Sequence, residues 1–191
     1  MDVSQPWTKK GHGIKVAGST ATNPTSGVAW VAATPAISPD RGATWILQVG
    51  EAPEGYAYYV GAIADAAWAN VNGHIDQKGV WLFGSKGHSH LADGEEVTLS
   101  GERPFYEPGE TLTLSINRPA RTLSATNARG HTETLRNLPS VPLCAAARLY
   151  GKNSVTMRQW PPTAPVSSAR STLARLPECA SLAYALTHAP Y

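Results

Sequence analysis

The side chains in this chain that could do chemistry are few, and their settings argue against most of it. His88-Ser89-His90, with His74, Asp76 and Asp93 near in sequence, is the best metal candidate. Alternate residues of an extended segment share a face, so two imidazoles there could reach one cation such as zinc. Gly84, Gly87 and Gly94 flank them, however, which suits an exposed loop whose histidines face water. The reading is no metal and no cofactor. Glu95-Glu96, and Glu51 with Glu54, are the clustered carboxylates, and neighbours on a strand point to opposite faces. Glu95 and Glu96 therefore should not share a proton or a substrate. No acidic-x-acidic-x-acidic spacing of the kind a sandwich glycosidase would use occurs.

Nucleophilic chemistry has no better footing. There is no Gly-x-Ser-x-Gly elbow, and neither Cys144 nor Cys179 has a setting that activates a thiolate. Gly84-Ser85-Lys86-Gly87 lacks the strand-to-helix context of a phosphate-cradling loop. Catalysis has no positive support, so the chain is read as no enzyme. Cys144 sits in the apolar run 141–147, which predicts a buried, reduced thiol and a reducing, cytoplasmic setting.

The aromatic residues are more informative. Six tryptophans and seven tyrosines against two phenylalanines favour residues that combine apolar bulk with a polar handle, as binding surfaces do. Trp30, Trp45 and Trp81 lie on strand patterns and are read as core. Tyr56, Tyr58, Trp68, Tyr106 and Tyr150 lie at strand ends or in loops, where exposure is expected. Arg103-Pro104-Phe105-Tyr106 could present a cation and an aromatic on a stiff loop.

The elements that must position these groups are strands. Apolar–polar alternation and short apolar runs predict about eleven of them, at 13–18, 28–33, 43–49, 56–64, 79–84, 97–100, 111–116, 122–126, 132–135, 141–148 and 154–158. The run Val80-Trp81-Leu82-Phe83 suits a strand buried on both faces. Ser38-Pro39-Asp40-Arg41-Gly42, Asn72-Gly73, Glu107-Pro108-Gly109 and Ala128-Arg129-Gly130 are turns. Asn117-Arg118-Pro119-Ala120 separates two alternating segments and predicts a hairpin over 110–126. One helical turn fits 65–71. The fold class is all-β: an antiparallel two-sheet sandwich over 1–160. After Trp160 the composition changes. Pro161-Pro162-Thr163-Ala164-Pro165 reads as a stiff linker, and 167–186 offers Leu173, Leu176, Leu182 and Leu186 for an amphipathic helix that Pro177 interrupts or starts.

At 191 residues one core plus a tail is expected. A formal charge of +2 with 16% charged residues is too weakly basic to suggest nucleic acid or an anionic membrane as partner. The first residues lack the apolar core of a signal peptide, and no apolar run approaches the roughly 18 residues a spanning helix needs.

Several of these segments, taken in order, resemble the SPRY domain family. Thr44-Trp45-Ile46-Leu47-Gln48-Val49 after Arg41-Gly42 is similar to the family's glycine and Trp-bearing strand, and Tyr59-Val60-Gly61-Ala62 to its apolar-Gly-apolar strand. Gly79-Val80-Trp81-Leu82-Phe83, followed by His88, resembles its next strand and loop histidine. Leu114 to Gly130 is similar to the family's hairpin, and Leu138 to Arg158 to its closing strands. The phrase ending Val155-Thr156-Met157-Arg158 looks closest to the subgroup attached to SOCS-box and F-box segments. The resemblance implies a concanavalin-like sandwich that binds a peptide or exposed loop of a partner protein, as an adaptor or substrate receptor linked to ubiquitin-ligase machinery. In that subgroup an aromatic-Gly pair at the place of Tyr150-Gly151 contributes to the peptide pocket. The candidate contacts are Tyr150 and Gly151 first, then Trp68, Arg103, Tyr106 and His88, in a monomer. Other readings stand beside it. Trp68, Asn70 and Asn72 could form the platform of a carbohydrate-binding sandwich, a hydrolase on this scaffold would need two converging carboxylates, and the tail could dock in a larger assembly.

Overall fold

Wherever alternation runs between glycine- or proline-bearing turns, the chain forms a strand. The computed structural model describes residues 5–51, 58–71, 77–85, 90–99 and 104–159. Fourteen strands lie among them: β1 (Trp7–Lys10), β2 (Lys15–Ala17), β3 (Thr20–Asn23), β4 (Val28–Ala33), β5 (Ala43–Val49), β6 (Tyr58–Ala64), β7 (Val80–Gly84), β8 (His90–Ala92), β9 (Glu95–Val97), β10 (Thr111–Asn117), β11 (Thr122–Thr126), β12 (Thr132–Leu135), β13 (Leu143–Tyr150) and β14 (Asn153–Gln159). A 3-10 turn at Asp65–Asn70 follows β6 where one helical turn is predicted. The expected tail helix lies outside the described residues.

Two antiparallel sheets of seven strands form the sandwich. One, sheet A, has the order β1-β4-β13-β6-β7-β8-β9, and the other, sheet B, has β12-β11-β10-β5-β14-β3-β2. The predicted hairpin is β10–β11, with Thr113 opposite Thr126 and Asn117 opposite Thr122. The Asn117 side chain accepts from the backbone N–H of Ala120 and holds its turn. Two expectations are corrected, and one strand was not foreseen. The early strand is a hairpin, β2–β3, turned at Gly18, and β1 before it carries too little alternation over four residues to be legible. The strand expected at 97–100 is instead the pair β8–β9, turned at Asp93 and Gly94, which both have positive φ.

The two sheets differ in what their outward faces meet. Trp45, Leu47, Val49, Leu112, Leu114, Ile116, Leu123, Val155 and Met157 of sheet B point inward. Its outward face is polar, and cross-strand hydroxyls pair there: Thr44 with Ser115, Ser124 with Thr134 and Thr126 with Thr132, all at 2.8 Å. In the central strands of sheet A, β4, β13, β6 and β7, both faces are withdrawn from water. Ala29, Val31, Tyr58, Val60, Trp81, Phe83, Ala145, Ala147 and Leu149 join the common core. Trp30, Ala32, Tyr59, Ile63, Val80, Leu82, Cys144 and Ala146 form a second apolar cluster outside it, with Ala67, Trp68 and Val71 from around the 3-10 turn packed against them. The unbroken apolar runs of β7 and β13 follow from this double burial.

Tight packing has two local signatures. A Cβ on Gly61 would lie 2.1 Å from the carbonyl oxygen of Trp81 in the neighbouring strand, so β6 and β7 approach only where this side chain is missing. Cys144, fully buried, donates its thiol to Asp65 Oδ1 at 3.2 Å. Lys9 holds the same carboxylate and keeps Asp65 below the usual carboxylate range, with the thiol contributing less. Burial, reinforced by the hydrogen bond to Asp65, pushes the Cys144 thiol up from 9.0 to about 12.

Two outcomes follow. Gly61→Ala should cost about 2 kcal/mol of stability through overpacking, read as a lowered denaturant midpoint at unchanged slope. In a Cys179→Ser background, Cys144 should resist alkylation at neutral pH until denaturant unfolds the chain. Because its folded-state pKa lies above its unfolded value, the thiol's contribution to stability should be intact below pH 9.0 and erode as pH rises toward about 12. Rapid native-state labelling of Cys144 would contradict the burial.

Candidate functional site

Tyr150 ends β13 and is 38% exposed; Val141 is the other large apolar side chain exposed to this degree among the described residues. What lies beneath it is set by strand register. Arg148 sits directly opposite Trp30 of β4 on one side and Tyr59 of β6 on the other. The three form a row across the outward face of sheet A, and Tyr150, two residues along β13, shares that face. The Arg148 guanidinium carbon lies 6.0 Å from the Trp30 ring centre, 5.7 Å from that of Tyr59 and 6.0 Å from that of Tyr150. Such distances are those of cation–π contacts. Arg148 is only 8% exposed, and this burial lowers its pKa from the usual arginine value, while Tyr59 and Tyr150 act to raise it.

The turn that carries Tyr150 is held by buried amides. Gly151 adopts φ 70°, a left-handed conformation that costs a glycine nothing, and its N–H donates to the Gly27 carbonyl at 3.1 Å. Asn23 and Asn153 stand opposite each other in β3 and β14, and both are almost wholly buried. Asn23 Nδ2 donates to the carbonyls of Gly27 at 2.8 Å and Leu149 at 3.3 Å. Its Oδ1 accepts from the backbone N–H and hydroxyl of Thr25. Asn153 Nδ2 donates to the Tyr150 carbonyl. The 23–28 loop and the 150–153 turn are thus one hydrogen-bonded unit, with Val28 opposite Tyr150.

The other candidate contacts are placed elsewhere. Trp68 is half-buried against the outward cluster of sheet A, beyond the Ala64 end of β6. Tyr150 lies beyond the opposite end, since Ala64 pairs with Leu143 and Tyr58 with Leu149. Six residue steps of strand, about 20 Å, separate the two, so one small ligand does not touch both. Asn70 beside Trp68 is exposed. His88, Arg103, Tyr56, His74, Asp76 and Asn72 lie outside the described residues.

The exposure expected of Tyr58 and Tyr106 is corrected, because both are fully buried. Each satisfies its hydroxyl on backbone, as a buried tyrosine must. Tyr58 donates to the Gly50 carbonyl at 2.6 Å, and the Tyr106 hydroxyl lies 3.1 Å from the carbonyls of Tyr58 and Phe83. Burial pushes both phenols up from the ordinary tyrosine value. Tyr106 is a core residue and cannot contact a partner without unfolding. Trp30, Trp45 and Trp81 are buried as expected, Trp30 on the outward face of sheet A.

His90 also departs from its water-facing expectation. It is 2% exposed, between the edges of the Phe83 and Phe105 rings, and its Nδ1 accepts from the Gly84 N–H at 3.1 Å. Its Nε2 lies 2.5 Å from Glu133 Oε2, which reaches across from β12. A base or metal ligand needs a ring nitrogen turned toward the reacting group or cation. Here both nitrogens are engaged, so this histidine–carboxylate pair ties the two sheets together. Among the described residues no three His, Cys, Asp or Glu side chains gather as a metal site would require, and Glu95 and Glu96 are both exposed on β9.

The groups the sequence reasoning missed are Arg148, Trp30 and Tyr59 as a row, and Asn23 and Asn153 as clamps. Arg148 and Tyr150 alternate on one strand, which was a readable signal. The register that places Trp30 and Tyr59 on either side was not.

No family model and no curated protein matches this chain. Solved structures do. The SPRY domain of human HERC1 aligns with TM-score 0.59 at 16% identity, covering 73% of this chain and 87% of that one. The TRIM65 PSpry domain gives 0.62 at 11% identity, covering 82% and 90%. The NEUZ (NHR) domain in Neuralized from Drosophila melanogaster gives 0.57 at 10% identity, covering 80% and 90%. At such identities the likeness speaks for architecture. Together with the two seven-stranded antiparallel sheets, it establishes that this chain has the SPRY-domain fold.

Proposed function

We propose that this chain is a non-catalytic protein-interaction module that captures a short peptide or exposed loop of a partner at Tyr150 and Gly151. The observation that carries the reading is the exposed Tyr150 ring, mounted on a turn that buried amides and a left-handed glycine hold rigid. An aromatic anchor held in place before binding loses little side-chain entropy on contact, and so contributes more of its buried area to affinity. Gly151, buried beneath the turn, fixes the backbone that presents the ring through its positive φ and its N–H bond to Gly27.

The SPRY fold supports the coarse reading of a protein-binding domain. The likeness of Tyr150-Gly151 to the aromatic-Gly pair of the SOCS-box and F-box subgroup supports the finer one, a substrate receptor or adaptor for ubiquitin-ligase machinery. In that role the module works as a monomer in the cytoplasm, and the partner segment lies across the β13–β14 turn and the 23–28 loop. Trp68, at the far end of sheet A, takes no part in this contact. His88 and Arg103 remain candidate contacts by sequence.

Two variants separate anchoring from scaffolding. Tyr150→Ala should abolish partner capture by the intact chain from cell extract, while stability falls by less than about 1 kcal/mol, the size of an exposed cation–π contact. Asn153→Ala removes a buried donor of the clamp and should lower stability by about 1–3 kcal/mol as well as weaken capture. Thermal melts and quantitative capture on the same preparations check both. Unaltered capture by a folded Tyr150→Ala chain would remove Tyr150 from the site.

A further inference from the structure

The far end of the sandwich, where β13 begins, carries the other exposed apolar side chain, Val141, beside a group of arginines. Residues 136–142 cross that end, from β12 at the edge of sheet B to β13 in the middle of sheet A. Hydrogen bonds pin the crossing along its length. Arg118 donates from Nε to the Arg41 carbonyl at 3.3 Å, and from its terminal nitrogens to the carbonyls of Pro139 and Ile37, both at 3.1 Å. Arg121 Nε donates to the Leu138 carbonyl at 2.8 Å, and the Leu138 N–H returns to the Arg121 carbonyl at 3.0 Å. The Pro142 carbonyl accepts from the Asp65 N–H at 2.9 Å. Ser140 and Val141, between two prolines, are thereby held out in water, with Val141 39% exposed.

Charge at this end is one-sided. Arg121 and Arg136 are exposed, and Arg118 is buried beneath the crossing. Among the described residues none of these three has a carboxylate at ion-pair distance. Asp40 acts on Arg118 from further off and already accepts from the Ser38 hydroxyl. Asp65, next to the Val141 end, is held by Lys9. Arg121 adopts φ 54°, which glycine or asparagine takes more cheaply, so the turn by itself does not call for an arginine. With Nε anchored on Leu138, its terminal nitrogens remain for a partner at little further cost in entropy.

We infer that the 136–142 crossing is a second contact surface, and that it takes an extended acidic segment of a partner protein. Carboxylates of the segment lie at the β12 end against Arg121 and Arg136, and an apolar side chain lies at the β13 end on Val141. Arg118 is out of direct reach and adds its positive charge from beneath. Five residue steps separate Arg136 from Val141, at most about 18 Å, so about six residues of the partner cover the surface. Tyr150 ends the strand that Leu143 starts, about 23 Å away, so one such segment does not occupy both places.

Selection of a displayed random peptide library on the full-length Tyr150→Ala chain, shown by circular dichroism to be folded, tests this with the first site removed. The expected peptides combine clustered Asp or Glu with a neighbouring apolar residue. Their affinity should fall as salt is added, by about tenfold or more for Arg136→Glu, and several-fold for Val141→Ser, both changes at exposed positions. In amide NMR the resonances of 119–122 and 136–142 should shift on titration with a selected peptide. Should Arg136→Glu not fold, Arg136→Gln and the salt dependence decide. Peptides without acidic enrichment, peptides indifferent to Arg136→Glu, or shifts confined to other parts of the chain would overturn this surface and leave the reading of Tyr150 untouched. Failure of the folded chain to select any peptide would overturn it as well.

Discussion

The structure depends on one turn, residues 150 to 153, which joins the middle of one sheet to the middle of the other. β13 lies between β4 and β6 in sheet A, and β14 lies between β3 and β5 in sheet B. Neither sheet is closed around its centre until these last two strands are in place, so the most non-local pairings of the chain converge on the shortest link between the sheets. Gly151 makes the link tight through its positive φ, and Asn23 and Asn153 satisfy the carbonyls that the turn withdraws from water. An exposed aromatic at this place inherits rigidity that a loop tip would not have. The candidate site is therefore a by-product of the closure of the sandwich, and mutations in the clamp act on folding and on the site together.

Sheet A shows a second consequence of the same arrangement. Because both faces of its central strands are buried, their outward face can hold a cation in a dry setting, and Arg148 occupies that setting between Trp30 and Tyr59. Sheet B, with its hydroxyl-lined outward face, offers no comparable place. The buried His90–Glu133 contact works at the opposite edge of the sandwich, where it joins β8 to β12. Burying such a pair is costly unless its geometry is good, which fits a residue pair spent on holding sheets in register. The polar groups inside this molecule hold strands and turns, and the exposed aromatic is left for contact.

How much of this was legible in the sequence follows from the range of the interactions. Strands β4, β5, β7, β10 and β11 were readable because alternation or an apolar run spans five to seven residues in each. β1, β3 and β8 are three or four residues long, too short for a period to show. Tyr58 and Tyr106 were misjudged for a related reason: a tyrosine beside a loop looks exposed until the partners of its hydroxyl are known, and those lie on other segments, 8 residues away for Tyr58 and 48 for Tyr106. Tyr150 and Gly151 stand out in the sequence only through their resemblance to a family phrase. The Arg148 row does not, because opposition across β4, β13 and β6 is a property of register, and register is set by the whole sandwich.

The central claim is that the β13–β14 turn is the place of contact, and amide NMR of the intact chain titrated with a peptide selected for binding to it tests it most directly. Resonances of Gly27, Val28 and the 150–153 turn should shift first and most, with those of β10, β11 and the region around Trp68 unmoved. Shifts centred on the 3-10 turn around Trp68, or on the outward face of sheet B, with the β13–β14 turn silent, would contradict the account.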